Sequence, residues 1–309
     1  MFRIYDVGAS ESQALEPMGS KAKFWFDHAE LGTCLFKEAR VGTGEDWSEK
    51  VAAEIAELIA LPHATYELAV SEGARGVITP RITGPDEELV HGNELLIEID
   101  PDYESKSAAY RTPAHTVSSI VRALHKAGGG AELPRGWDIP SDVTNAVDLL
   151  AGYLMLDALI GNTDRHHENW ALIRAPGEGS ERRYRVAPTF DHASSLGRNE
   201  PLTKVQERLT TNDKGFTVEA YAARARSALF SSADDSAPLT PLDAFQEIAP
   251  FSPSAAPAWC DRLARVTTEG LRGILGKVPS DRMPAPFKQF VIRMVQFNRT
   301  RLLNVCAEL

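Results

Sequence analysis

Hydrophobic and polar positions in the first eighty residues predict four strands and one helix. Two short β-prone runs flank the turn-forming sequence HAELG, which favours a hairpin. From Asp46 onward, apolar residues recur at helical spacing behind Ser48, a predicted N-cap, and Pro62 closes the helix. The predicted strands cover residues 24–26, 33–37, 65–70 and 76–82.

Amphipathic helical patterns dominate after residue 82. The predicted helices cover residues 88–96, 116–126, 142–160, 217–229, 241–248, 257–274 and 283–308. One β signal interrupts them, where WALIR and YRVAP flank the turn-forming APGEGSER and predict a second hairpin. The pattern therefore predicts an α+β fold with a small β-rich lobe over 1–82 and a larger helical lobe over 83–309.

The composition is that of an ordinary globular protein. Hydrophobic residues make up 43% and charged residues 25% of the 309 positions, which excludes a disordered chain or a collagen-like repeat. The net charge of −10 disfavours a chain-wide basic surface for nucleic acid or an anionic membrane, although it leaves a local basic patch open. The most apolar stretch, residues 147–160, contains Asp148 and Asp157, so no membrane span is expected.

Cysteine usage and the N-terminal sequence predict a cytoplasmic location. Cys34, Cys260 and Cys306 are widely separated and form no CxxC pair, which predicts reduced thiols and no structural disulfide. The opening sequence MFRIYDVGAS lacks the uninterrupted apolar core of a signal peptide.

Polar residues crowd the segment 161–170, between the predicted helix 142–160 and the second hairpin. Asn169 precedes the first strand of that hairpin and Asp191 follows the second, so a symmetric hairpin returns both to the same end. Together with Asp164, they offer the hard oxygen ligands that suit Mg²⁺ and the phosphate oxygens it bridges.

Asp164 and Asn169 are five positions apart, as in the kinase catalytic loop, where an Asp takes the hydroxyl proton and an Asn holds metal. The segment resembles the catalytic loop of the HipA-like serine/threonine kinases, which are related in fold to protein kinases and phosphatidylinositol kinases. Asp164, His166 and Asn169 match the DxHxxN pattern of that family, and the segment also matches the DRHxxN pattern of the lipid kinases. The sequence TFDH at 189–192, followed by SSLG, resembles the family's metal-binding segment.

This resemblance implies a two-lobed protein-kinase-like fold with ATP and Mg²⁺ in the cleft. It implies Asp164 and His166 as catalytic-site residues, with His166 orienting the loop, and Asn169 and Asp191 as metal ligands. It assigns nucleotide contacts to a phosphate-covering loop, a strand lysine, a helix glutamate and the interlobe hinge, namely Gly19, Ser20, Lys21, Lys23, Lys37, Glu49, Arg81 and Ile82. A serine in the family's nucleotide loop can be self-phosphorylated, which here corresponds to Ser20.

Alternative interpretations accompany each of these assignments. The adjacent His166 and His167, together with Glu168, are alternative ligands of a transition metal. Lys37 is alternatively a solvated lysine at a strand end, and Glu54 is an alternative partner for it. An Asp and an Asn five positions apart also occur commonly in helix caps and turns.

The favoured function is ATP- and Mg²⁺-dependent phosphoryl transfer to a Ser or Thr hydroxyl of a protein, with autophosphorylation. A kinase for a small molecule or lipid headgroup and a nucleotide-binding regulatory pseudokinase are the alternatives. HipA toxins carry an additional N-terminal subdomain, which this chain is expected to lack. The expected partners are a protein substrate and an antitoxin-like regulator, with no direct nucleic-acid contact and no membrane.

Overall fold

The computed structural model describes residues 1–8, 14–15, 23–103, 112–128, 131–177 and 182–309. Three residues of the predicted nucleotide loop, Gly19, Ser20 and Lys21, lie outside the described residues. The described residues form a β-rich N-lobe and a larger, mainly helical C-lobe. This α+β architecture is the predicted one.

The N-lobe is built on one six-stranded sheet. Its strands are β1 (Ile4–Asp6), β2 (Ala14–Leu15), β3 (Lys23–His28), β4 (Gly32–Glu38), β5 (Glu67–Ser71) and β6 (Ala74–Pro80). They lie in the order β1-β5-β6-β4-β3-β2, with β1 parallel to β5 and the other neighbours antiparallel. The predicted hairpin is β3–β4, and its register places Lys23 directly opposite Lys37.

Helix α1 (Glu45–Leu58) connects β4 to β5 and begins after Gly44. A Cβ atom at position 44 would lie 2.1 Å from the Trp47 ring, so a side chain there would force the helix start to shift. Ser48 lies inside the helix, and its hydroxyl donates to the carbonyl oxygen of Ser195 at 3.0 Å. The predicted Ser48 cap is therefore wrong, because this hydroxyl ties α1 to the C-lobe instead.

The C-lobe contains one three-stranded antiparallel sheet and nine α-helices within the part of the chain that the structure describes. Its strands are β7 (Glu88–His91), β8 (Ala171–Pro176) and β9 (Arg182–Val186), in that order across the sheet. Its helices are α2 (Gly92–Ile99), α3 (Val117–Gly128), α4 (Ala146–Ile160), α5 (Leu202–Thr210), α6 (Val218–Ala223), α7 (Pro241–Ile248), α8 (Ala255–Arg262), α9 (Thr268–Lys277) and α10 (Ala285–Cys306).

Helix α4 is the centre of the C-lobe core. Every one of its fifteen residues is buried, which explains why its sequence is apolar on all sides rather than amphipathic. The Asn145 side chain caps its N-terminus by accepting from the backbone N–H groups of Val147 and Asp148. The helix ends at Gly161 in a left-handed conformation, directly before the polar segment that the sequence singled out.

Several predicted helices differ from the observed elements. Residues 88–91 form strand β7, because they pair with β8, and α2 begins only at Gly92. The predicted helix 217–229 ends at Ala223, and the predicted helix 257–274 is divided between α8 and α9. Helix α5 follows Pro201 and lies in a stretch that the hydrophobic pattern left unassigned.

The expectation of three reduced thiols is wrong for two of them. Cys260 on α8 and Cys306 at the end of α10 form a disulfide with a Cα–Cα distance of 6.0 Å. They are 46 positions apart, and packing between α8 and α10 brings them together, which spacing along the chain does not reveal. Cys34 is a free, buried thiol.

Among the described residues, no helix combines the length and the apolar character that crossing a membrane requires.

Candidate active site

A buried arginine anchors the loop that carries Asp164 and Asn169. The Arg165 guanidinium binds both carboxylate oxygens of Asp157, at 2.7 and 2.8 Å, and also donates to the backbone carbonyl of Asn169. Burial opposes the charge of Arg165, but Asp157 outweighs that effect and raises the arginine pKa. The bidentate pair therefore fixes the loop to the core helix α4 from behind.

The two carboxylate oxygens of Asp164 have different surroundings. Oδ2 accepts a hydrogen bond from the Ser194 hydroxyl at 3.1 Å. Oδ1 is buried and has no hydrogen-bond partner in the described part of the chain, and His166 Nε2 lies 4.0 Å from it. Burial raises the pKa of the Asp164 carboxyl; the charge of Asp191 adds to this rise, and His166 and the Ser194 hydrogen bond oppose it.

The Asn169 side chain is oriented by Asp164, the residue with which it was predicted to act. Its Nδ2 donates to the backbone carbonyl of Asp164 at 2.7 Å. Because the amide nitrogen is used in this way, the side-chain oxygen Oδ1 is the atom that remains to bind a cation.

The two adjacent histidines have separate environments. His166 Nδ1 accepts from the backbone N–H of Glu168 at 3.2 Å, whereas His167 Nδ1 lies 2.8 Å from the Tyr103 hydroxyl in the core. The rings are nearly perpendicular, at 89°. Their Nδ1 atoms therefore engage different partners, and the perpendicular rings argue against a shared transition-metal site. Across the described ranges, no three His, Cys, Asp or Glu side chains gather as a metal-binding group.

Asp191 is held in an uncommon backbone conformation at the end of the second hairpin. Its φ is +57°, in the left-handed region, which Asp tolerates better than most residues. The Asp191 N–H donates to the Tyr66 hydroxyl at 3.1 Å, and the N–H of His192 donates to Glu49 Oε1 at 2.9 Å. Side chains of the N-lobe thus hold this C-lobe segment.

Lys37 meets the same segment across the cleft. Its Nζ lies 2.9 Å from Asp191 Oδ1 and 3.9 Å from Glu49 Oε2. Burial alone would lower the pKa of Lys37, but the carboxylates of Asp191 and Glu49 hold it well above its ordinary value. Lys37 is therefore a buried cation at neutral pH, rather than a solvated lysine at a strand end.

Glu49, rather than Glu54, is the helix residue next to Lys37. Burial raises the pKa of Glu49 despite the opposing charge of Lys37. Glu54 instead pairs with Lys50, at 2.8 Å. The structure thus places Glu49, and not Glu54, beside Lys37.

These side chains border one cavity of about 340 Å³ between the lobes. It is large enough for a small-molecule ligand. Of the predicted site residues that the structure describes, only Glu49 stands back from the cavity wall, behind Lys37. Those that line it are Lys23, Lys37, Arg81, Ile82, Asp164, His166, Asn169 and Asp191.

The predicted hinge offers fewer backbone donors than expected. Arg81 N–H is already bonded to the carbonyl of Thr33 at 2.9 Å, and Pro80 has no N–H. An adenine edge at residues 80–82 would therefore have to use the N–H of Ile82 and the backbone carbonyls.

Three further residues belong to this site and were missed from the sequence. Tyr66, Ser194 and Arg198 all line the cavity. Ser194 stands in the SSLG sequence that carried the resemblance, but a serine there has no distinguishing pattern. Tyr66 and Arg198 have no sequence signal, because only the fold brings them to the cleft.

Comparisons with known proteins find similarity in structure alone. No family model and no curated protein matches the sequence. The Helicobacter pylori proinflammatory kinase CtkA superposes with a TM-score of 0.72 at 18% identity, over 99% of this chain and 98% of CtkA. HipA of Shewanella oneidensis MR-1, solved with HipB and operator DNA, gives a TM-score of 0.49 at 12% identity, over 95% of this chain and 65% of that one. The similarity to CtkA shows that this chain has the kinase-like fold that its catalytic-loop sequence predicted.

Proposed function

We propose that this protein is an ATP- and Mg²⁺-dependent kinase that phosphorylates Ser or Thr hydroxyls of a protein substrate. The observation that carries the proposal is the convergence of Lys37, Asp164, Asn169 and Asp191 on one interlobe cavity, although they come from different elements. These are the residue types that phosphoryl transfer needs for phosphate binding, acceptor orientation and metal binding. The kinase-like fold supports the same conclusion.

Lys37 is the phosphate-binding residue in this proposal. Its buried ammonium faces the Asp191 carboxylate, and nucleotide phosphates entering the cavity would provide a second set of anionic partners. Because the neighbouring carboxylates keep its pKa high, Lys37 stays charged at neutral pH and offsets phosphate charge. Lys23, opposite it on β3, also reaches the cavity.

Asn169 and Asp191 fit a hard divalent cation. The amide oxygen of Asn169 is left for a ligand, the Asp191 side chain is 29% exposed, and both residues line the cavity in which phosphates would lie. A bound Mg²⁺ would offset the negative charge on the phosphate oxygens.

Asp164 is the residue that receives the acceptor. In the proposed reaction the hydroxyl oxygen forms a bond to the γ-phosphorus, the bond from that phosphorus to the β,γ-bridging oxygen breaks, and ADP leaves. The hydroxyl proton passes to the Asp164 carboxylate, which lines the cavity. His166 lines the same cavity, with its Nε2 4.0 Å from Asp164 Oδ1, and helps to define where the hydroxyl sits.

The test is transfer of label from γ-labelled ATP with Mg²⁺, measured with purified protein alone and with a cell extract. Label on Ser or Thr of a protein supports the proposal. Label confined to small molecules or lipids would contradict the protein acceptor, and nucleotide binding without any transfer would identify a regulatory pseudokinase instead. Self-labelling at Ser20, an antitoxin-like regulator and a cytoplasmic location stay predictions.

A further inference from the structure

Ser194 is attached to the catalytic loop through its backbone. The Ser194 carbonyl accepts two hydrogen bonds from Thr163, one from the backbone N–H and one from the hydroxyl, each at 3.1 Å. Thr163 directly precedes Asp164 in the chain. The backbone of residue 194 is therefore held beside Asp164, whatever side chain residue 194 carries.

The Ser194 hydroxyl has a defined direction. Arg198 Nη2 donates to Ser194 Oγ at 2.8 Å, and Asp164 Oδ2 lies 3.1 Å from the same oxygen. A guanidinium can only donate, so it occupies the acceptor side of the hydroxyl. The serine hydrogen is then directed to Asp164, which completes an ordered chain from Arg198 through Ser194 to Asp164.

Arg198 is itself immobilised. Arg198 is only 8% exposed. Its Nη1 donates to Glu45 Oε1 on α1 and to Asn199 Oδ1, the latter at 3.2 Å. The Arg198 carbonyl also accepts the N–H of Gly44 at 3.0 Å. Both lobes therefore contribute to holding the guanidinium that orients Ser194.

We propose that Ser194 is a positioning residue for phosphoryl transfer, which acts by holding Oδ2 of Asp164 and so fixes the carboxylate in the orientation that receives the acceptor hydroxyl. The inference rests on the proposed function, since it assumes that Asp164 receives the acceptor. Without this hydrogen bond the carboxylate can rotate about its terminal torsion, which has a broad energy profile. A fixed oxygen matters because small misplacements of a reacting group carry large rate penalties.

The experiment compares Ser194→Ala with wild type and with two related variants. Ser194→Thr keeps a hydroxyl at the same position, and Ser227→Ala removes a buried hydroxyl that accepts the backbone N–H of Leu229 at 3.0 Å, away from the cavity. ADP formation from ATP and Mg²⁺ is measured with dephosphorylated casein as acceptor and with water alone. Nucleotide affinity is measured separately by calorimetry.

The positioning role predicts a split between kcat and KM. Ser194→Ala is expected to lower kcat by about 10- to 100-fold, with KM and Kd for ATP within about twofold of wild type. Ser194→Thr should restore most of the loss, and Ser227→Ala should keep kcat within about threefold of wild type, because the surroundings of Asp164 are unchanged. In an Asp164→Asn background, Ser194→Ala should cause no further loss, since the carboxylate through which it acts is gone.

Failures of the two proposals are distinguishable. Active wild type with an equally active Ser194→Ala would overturn the positioning role alone, as would full additivity of Ser194→Ala and Asp164→Asn. Wild type that binds ATP but transfers no phosphoryl group to casein, to water, to itself or to any component of a cell extract would overturn the proposed kinase function, and the positioning role with it.

Discussion

Lys37 and Asp191 form an ion pair across the interlobe cleft, with 2.9 Å between Nζ and Oδ1. The lysine comes from the end of strand β4, and the aspartate follows the second hairpin, 154 positions away in the chain. Glu49 lies behind the pair, at 3.9 Å from the same Nζ. The pair therefore joins the predicted phosphate-binding residue to a predicted metal ligand, and it provides a sharp test of both.

Lys37→Met is expected to weaken ATP binding and lower kcat/KM by about 100-fold or more, because an uncharged thioether cannot offset phosphate charge. The change also removes the ammonium that lies close to both the Asp191 and the Glu49 carboxylates. Calorimetry with ATP and Mg²⁺ and steady-state kinetics provide the measurement. The matched control is Lys204→Met, an exposed lysine on α5, which should behave as wild type. Unchanged affinity and rate in Lys37→Met would show that Lys37 does not bind the nucleotide phosphates.

Glu49 and Glu54 on α1 offer a second matched comparison. Glu49→Gln should lower kcat/KM by about 10-fold or more, because Glu49 neighbours Lys37 and accepts the N–H of His192, which follows Asp191. Glu54→Gln should stay within about twofold, since Glu54 contacts Lys50, away from the cavity. The rates of the two purified variants are compared at equal ATP. A larger loss in Glu54→Gln than in Glu49→Gln would contradict the role of Glu49 beside Lys37.

The burial of His115 predicts that the free energy of unfolding falls in acid. His115 is fully enclosed, with Nδ1 at 3.1 Å from the Ala228 carbonyl and Nε2 accepting from Trp170 Nε1 at 3.2 Å. Burial lowers the pKa of His115 to about 3, well below its ordinary value of 6.5. The folded protein therefore keeps His115 neutral while the unfolded chain takes up a proton, so stability is full above pH 6.5 and falls as the pH drops toward 3.

The measurement is the free energy of unfolding from urea titrations between pH 7.5 and 5. His115→Gln keeps an acceptor for Trp170 but does not titrate, so its slope against pH should be smaller by up to about 1.4 kcal/mol per pH unit. Buried His167 and His192, whose pKa values are also lowered, remain in the variant and leave part of the slope. Identical slopes in the two proteins would contradict a neutral His115.

The hydrophobic pattern predicted the elements whose stability is local. Helix α7 was placed with its observed ends from its helical periodicity, and the structure shows a capping box between Thr240 and Asp243 at its start. Helix α4 was recognised from its apolar run, and the β3–β4 hairpin from its turn. Residues 88–91 were misassigned because their strand forms only by pairing with β8, whose paired residues lie eighty or more positions later in the chain.

The site was predictable where chemistry is concentrated in a short segment. Asp164, His166 and Asn169 stand within six positions and carry a recognisable spacing, and Asp191 follows from the hairpin that starts beside them. Ser194 and Arg198 were not predictable as a unit, because their roles depend on side-chain distances set by α1 and the catalytic loop. The Cys260–Cys306 disulfide was missed for the same reason, since helix packing alone joins its ends.

The central claim is that Asp164 receives the acceptor while Asp191 holds metal at the nucleotide. The most direct measurement is therefore phosphoryl transfer and Mg²⁺-dependent ATP binding in Asp164→Asn and Asp191→Asn, at equal protein loading and with matching thermal unfolding curves. Both variants should lose transfer by at least about 100-fold. Asp164→Asn should bind ATP with Mg²⁺ as wild type does, whereas Asp191→Asn should lose the Mg²⁺-dependent part of the affinity. Transfer at the wild-type rate in either variant would contradict the account.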